Sequence, residues 1–169
     1  MKKCFFALTI MLVSMLAIGC TENIKENNST QASLQQSNDA ENQDMEWMKH
    51  IEKYGSLIQS DMDNVGMAAN ISDYNLLKSY GQDLVNDTQS GLDENSNYTL
   101  SPKYQEAQNE WVQALTDLNS AGKYIVMSAD ESLAYGVPVR NLDYEQKIQN
   151  YVVSGTGHMN RANALLEGT

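Results

Sequence analysis

Residues 101–135 read SPKYQEAQNEWVQALTDLNSAGKYIVMSADESLAY, and their apolar positions recur at intervals of three and four. The recurring positions are Trp111, Leu115, Leu118, Gly122, Ile125 and Ala129. This spacing lines one face of an α-helix, and no strand-like alternation competes with it. The stretch therefore predicts a long amphipathic helix. Because it is longer than its neighbours, we expect a bend or break near Ser128.

Three further stripes have the same helical period. They comprise Met48, Ile51, Gly55, Ile58, Met62, Val65 and Ala69; Tyr74, Leu77, Gly81, Leu84 and Thr88; and Tyr144, Ile148, Tyr151, Gly155, His158, Ala162 and Leu165. The predicted helices span 44–69, 72–91, 101–135 and 141–167. Short connections make successive helices antiparallel, so the predicted fold is all-α, an up-down-up-down four-helix bundle over residues 44–169.

Residues at the predicted helix ends are typical of caps. Ser72 is the predicted N-cap of the second helix, and Ser101-Pro102 predicts the start of the third. The sequence Gly136-Val137-Pro138 predicts the end of the third helix, and either Asn141 or Asp143 opens the fourth.

The first twenty residues indicate export. Lys2 and Lys3 precede an apolar run from Phe5 to Ile18, which is shorter than the roughly 20 residues of a membrane-spanning helix and fits a signal-peptide core. The following sequence, Leu16-Ala17-Ile18-Gly19-Cys20, resembles the lipobox of prokaryotic lipoproteins, with Ala17 at the place where Leu is usual.

The lipobox resemblance implies cleavage after Gly19, removal of residues 1–19, and a lipid such as palmitate on Cys20. The protein would then be anchored in the cell membrane and face away from the cytoplasm. Two alternatives are an ordinary cleaved signal with a chance Cys and a retained signal anchor. If Cys20 carries lipid, Cys4 leaves with the signal peptide and no free thiol remains, which excludes disulfides and thiol catalysis.

Residues 20–43 read as a lipidated Cys20 followed by a disordered polar tether. After Cys20, Ile24 and Leu34 are the large apolar residues of this stretch, too few to offset the entropy of ordering. Candidate N-glycosylation acceptors occur here and in the bundle, at Asn28, Asn70, Asn86 and Asn97.

Each of the four stripes contains a glycine, namely Gly55, Gly81, Gly122 and Gly155. Glycine within a helix costs about 1 kcal/mol relative to alanine, so these positions need an explanation. One explanation is close approach of the helices. The other is a central pocket for a small ligand, lined by Tyr151 and His158.

Composition and motifs exclude several function classes. The chain has 11 Lys and Arg against 22 Asp and Glu, a net charge of -11, which disfavours nucleic-acid binding. Asp83 and Asp87 read as a solvated face, and we expect His50, beside the first stripe, to be exposed. No catalytic motif, metal-ligand pattern or cofactor motif is present in the sequence, so we predict a non-enzyme without metal or cofactor.

The acidic, Asn-rich helical region is similar to small helical lipoproteins of unassigned function in bacteria and archaea. We therefore expect a lipid-anchored interaction module with an envelope or extracellular protein as partner. The alternative is a small-ligand-binding or sensory bundle with its pocket near Gly155 and His158.

Overall fold

The computed structural model describes residues 31–168, with side chains from residue 41 onward. This part of the chain forms four α-helices and no strand. They are α1 (Gln31–Ile71), α2 (Tyr74–Asn95), α3 (Gln105–Tyr135) and α4 (Leu142–Glu167). The predicted all-α class with four helices is confirmed.

The helices pack in chain order. Within residues 31–168, extensive contacts join α1 with α2, α2 with α3, and α3 with α4. Trp47, in the first half of α1, bonds to Asn95 at the end of α2, and Glu110 near the start of α3 bonds to Arg161 near the end of α4. These pairings run in the sense that an up-down-up-down order requires, although that order itself stays a prediction.

The helix α1 begins at Gln31 rather than at residue 44, so its first turns lie in the stretch that the sequence assigned to the tether. Residues 31–43 lack glycine and proline and contain several helix-favouring Gln, Ala and Glu residues. They also lack an apolar period, which is why the pattern did not indicate a helix there.

The N-cap of α2 is Asp73, so the prediction of Ser72 was wrong. The Asp73 side chain accepts hydrogen bonds from the backbone N–H groups of Asn75 and Leu76. Ser72 instead lies in the left-handed region, with φ 57°, and makes the turn between the two helices. A carboxylate at this place also interacts favourably with the helix dipole.

The helix α3 begins four residues later than the Ser101-Pro102 signal predicted. Residues before Gln105 form a turn in which the Tyr104 N–H donates to the Ser101 carbonyl, and Asp44 of α1 accepts the Ser101 N–H at 2.9 Å. The segment is thus tied to α1 rather than continuing the helix. The helix α3 is continuous through Ser128, so no break occurs there.

The other predicted caps are confirmed. Gly136 ends α3 in the left-handed conformation, with φ 65°, which glycine adopts without steric cost. Asn141 caps α4 by accepting the Tyr144 N–H.

The buried face of α1 differs from the predicted stripe at both ends. Met48 and Ala69 are exposed, whereas Trp47 and Ala68 are fully buried. Trp47 belongs to a core that spans all four helices and includes Tyr54, Ile58, Leu84, Leu100, Trp111, Leu115, Leu118, Ile125 and Ala162.

Glycines permit close approach of the helix backbones. A Cβ atom on Gly122 would lie 2.8 Å from Val85 Cγ2 and 3.0 Å from the Gly81 carbonyl oxygen. A Cβ atom on Gly155 would lie 2.7 Å from Leu118 Cγ. Such distances are far shorter than ordinary carbon–carbon contacts, so α2 packs on α3, and α3 on α4, only because these side chains are absent.

We expect Gly122→Ala to lower the free energy of unfolding by about 1–3 kcal/mol, since the added methyl group overpacks the α2–α3 contact. Chemical denaturation measures the change. Gly66→Ala is the matched control, because a Cβ atom on Gly66 meets nothing within 4 Å. That variant should gain about 0.5–1 kcal/mol of stability. Equal effects of the two substitutions would contradict the close-approach explanation.

Candidate functional site

Several predicted sites lie outside the described residues or at exposed positions. Cys20, Gly19 and Asn28 precede residue 31, where the described chain begins. Asn70, Asn86 and Asn97 are exposed, as an acceptor of a glycan must be. Asn86 lies within α2, and the hydroxyl of the third sequon residue, Thr88, is buried and donates to the Leu84 carbonyl.

The four predicted pocket glycines are not brought together at one point. Gly81 and Gly122 face each other across α2 and α3, while Gly155 of α4 meets Leu118 and the carbonyl of Ala114. Gly55 is buried on α1, a helix that has no extensive contact with α4. Neighbouring atoms therefore take up the space beside Gly81, Gly122 and Gly155, and a ligand pocket there stays a prediction.

The predicted pocket residue His158 lies in a charged cluster between α3 and α4. Its Nδ1 atom is 2.7 Å from Glu110 Oε2, and its Nε2 atom is 3.9 Å from Asp117 Oδ2. Arg161 donates to the same Glu110 oxygen at 2.7 Å. The bonds from His158 and Arg161 lower the pKa of Glu110. The arrangement is an electrostatic contact between two helices, close to solvent.

Tyr151, the other predicted pocket residue, packs in an aromatic group on the same two helices. The Tyr151 ring stacks on the Tyr124 ring, with centroids 6.0 Å apart. The ring of Tyr144, also on α4, has its centroid 5.8 Å from that of Tyr124. Lys147 lies over the Tyr124 ring. These contacts occupy the face of Tyr124 with protein groups.

His50 is buried, with 2 % of its surface exposed, so the expectation that it is exposed was wrong. Trp111 Nε1 donates to His50 Nε2 at 3.2 Å. Because Nε2 is an acceptor, the proton of the neutral ring is on Nδ1, which faces Glu94 Oε1 at 3.5 Å. Burial lowers the pKa of His50, and Glu94 opposes that effect only in part.

Aromatic rings and Glu94 complete the surroundings of His50. The rings of Tyr54 and Tyr98 lie 4.8 and 5.4 Å from the imidazole. Glu94 Oε2 accepts from Lys53 Nζ and from the Tyr54 hydroxyl, both at 2.9 Å. The hydrogen bonds from Lys53 and, to a smaller extent, from Tyr54 lower the pKa of Glu94 to about 2. We call His50, Tyr54, Glu94, Tyr98 and Trp111 the histidine cluster; it joins α1, α2 and α3.

The histidine cluster was not predicted, because the apolar stripe predicted for the first helix began at Met48 and did not include Trp47. Trp47, His50 and Tyr54 are spaced by three and four residues, so they form a stripe of their own. That spacing was the available signal. The role of Glu94 could not be predicted from the sequence, since its partly exposed side chain belongs to no apolar stripe.

Large apolar side chains are exposed at the end of the bundle that carries the α1–α2 and α3–α4 connections. These connections lie at the same end, because Lys78 near the start of α2 bonds to Asp130 near the end of α3 at 2.6 Å. The exposed residues, which we call the apolar end, are Ile71, Leu133, Tyr135, Val137 and Leu142.

The chain preceding the bundle enters at the opposite end. There, Asp44 accepts the Ser101 N–H and Gln43 accepts the Thr99 N–H, so residues 43–44 lie beside the α2–α3 connection. The residues of α1 that precede Gln43 therefore lead away from the end of the bundle opposite the apolar end.

The described part of the chain holds neither a metal-binding cluster nor a helix suited to cross a membrane. Residues 31–168 contain no group of three or more His, Cys, Asp or Glu side chains placed to hold a metal ion. None of their helices is both long and apolar enough to cross a bilayer.

Comparison with known proteins yields no relative: no family model, curated protein or solved structure matches this chain.

The lowered pKa of His50 predicts acid sensitivity. Unfolded His50 takes up a proton near pH 6.5 while folded His50 resists it, so its contribution is present above that pH and is lost as pH falls toward the folded pKa. We expect His50→Gln, which keeps an acceptor for Trp111 but cannot ionise, to lose less stability than the wild type between pH 7.5 and 5.5. Denaturant unfolding at both pH values measures this. Identical pH dependence in the two proteins would contradict a buried neutral His50.

Proposed function

We propose that this chain is a membrane-anchored extracytoplasmic lipoprotein whose helical bundle is a non-enzymatic interaction module. Lipid on Cys20 would hold it at the membrane, and its partner would be another envelope or extracellular protein. One observation carries the interaction part of the proposal: the apolar end lies opposite the end at which the chain from Cys20 enters the bundle.

Four of the five side chains of the apolar end have more than half of their surface exposed to solvent. Tyr135 is 69 % exposed, Leu142 64 % and Ile71 62 %. Exposed apolar side chains that share one end of a bundle support a site that binds another protein or a membrane. A bundle tethered at its other end presents this surface at the greatest distance from the anchor.

The charges around the apolar end favour a protein partner with an apolar surface. Lys78 pairs with Asp130, Arg140 with Glu145, and Lys147 with Asp143. Because these charges are already paired, docking there does not require a strongly charged partner. Insertion of this end into an anionic bilayer is disfavoured, since the chain as a whole carries a charge of -11.

A photo-crosslinking amino acid at Tyr135 tests the proposal in cells that produce the full chain. We expect discrete crosslinked products from position 135, because the apolar end contacts a protein. The matched position is Glu106, which is exposed near the start of α3, at the opposite end. It should give none of those products.

The products from position 135 should also weaken when Leu142 is replaced by Asp, which places a charge on the apolar surface. Products of the same size and yield from positions 135 and 106 would contradict a partner site at the apolar end.

A further inference from the structure

Asp61 is a buried carboxyl group on the face of α1 that packs against α2. Only 8 % of its surface is exposed, and its Oδ2 atom is buried without a hydrogen-bond partner. An ionised carboxylate in that position would lose its hydration without compensation, which is costly. A proton on the carboxyl group removes this cost.

The charged groups that act on Asp61 are both negative and both belong to α2. They are Asp87 and, one turn earlier, Asp83. On α1 itself, Asp63 is exposed and bonds to Gln59. The helix α3 meets this stretch of α2 through Asn119, a neutral side chain bonded to Thr88.

A single proton satisfies this geometry. A buried carboxyl group beside two negative charges is costly to ionise, whereas a proton on Asp61 removes both the desolvation of its charge and the repulsion. Burial and, to a smaller extent, the negative charges of Asp87 and Asp83 raise the pKa of Asp61 to about 7. Asp61 therefore holds its proton in mildly acidic solution and loses it in mildly alkaline solution.

The position of α1 gives this proton a structural consequence. Extensive packing of α1 involves α2, and α1 reaches α3 through individual side chains such as His50. Asp61 and the two aspartates that act on it belong to helices that pack against each other, α1 and α2. Repulsion between two ionised carboxylates there acts directly on the contact that holds α1 in place.

We propose that Asp61 is a proton-binding site between α1 and α2, and that loss of its proton loosens α1 from the rest of the bundle. The helix α1 leads toward the N-terminal segment, so the site makes the attachment of the bundle sensitive to pH. This inference concerns the α1–α2 interface alone and does not depend on lipid anchoring or on a partner at the apolar end.

The sign of the effect follows from the direction of the pKa change. Unfolded Asp61 ionises near pH 4, while the folded carboxyl group keeps its proton until about pH 7. Stability associated with Asp61 is therefore greatest at acidic pH, decreases as pH rises, and stops changing above about pH 7. His50 has the opposite effect over part of this range, so variants must be compared with the wild type at each pH.

Thermal unfolding of the full chain between pH 5 and 8.5 tests the proposal. We expect Asp61→Asn to raise the Tm at pH 8 by about 5 °C or more, because the amide carries no charge. The gain should shrink as the pH falls toward 5. Asp63→Asn is the matched control on the exposed side of the same turn, and its Tm should follow that of the wild type. A gain for Asp61→Asn that does not depend on pH would overturn the proposal.

Carboxyl titration by NMR gives a readout on the wild-type protein that does not depend on any variant folding. We expect the Asp61 carboxyl carbon to titrate well above the range of an ordinary aspartate. Amide exchange in residues 55–68, corrected for intrinsic rates, should then accelerate relative to α3 as pH rises toward that midpoint and change no further above it. An Asp61 that titrates below pH 5, or exchange that stays uniform across the two helices, would overturn the proposal.

Discussion

The contact between the backbones of α2 and α3 is the constraint on which the rest of the structure depends. Gly122 and Gly81 face each other there, at a separation that leaves no room for a Cβ atom. The helix α1 packs on α2, and α4 packs on α3, so this contact joins the two outer helices into one body. Buried Asn119 reinforces it by donating to Thr88 Oγ1 and to the Val85 carbonyl.

The buried face of α1 includes two titratable groups, His50 and Asp61. His50 is held by Trp111 and faces Glu94, while Asp61 faces two carboxylates of α2. Burial disfavours the charged form of each group, so it lowers the pKa of the histidine and raises that of the aspartate. A rise in pH toward 7 thus weakens the contact at Asp61, whereas a fall in pH below about 6.5 weakens the contact at His50, so the two groups respond to pH in opposite directions.

The helical period predicted the four helices because packing depends on which faces are apolar, and that information is local. Details set by partners distant in the chain were not predictable. Ser101-Pro102 fits a helix start, but Asp44 takes the Ser101 N–H and α3 begins later. His50 reads as a surface residue until Trp111 supplies its hydrogen bond. The glycines of the predicted pocket were correctly placed on buried faces, yet their neighbours could not be assigned from spacing.

Anchoring through Cys20 is the central claim of the proposed function. With a lipid at Cys20, the apolar end would lie on the side of the bundle that faces away from the membrane. Mass spectrometry of the protein purified from the membranes of producing cells tests it most directly. The account predicts an N-terminal peptide that begins at Cys20 and carries the added mass of a lipid. A mature chain that begins at another residue, or an unmodified Cys20, would contradict it.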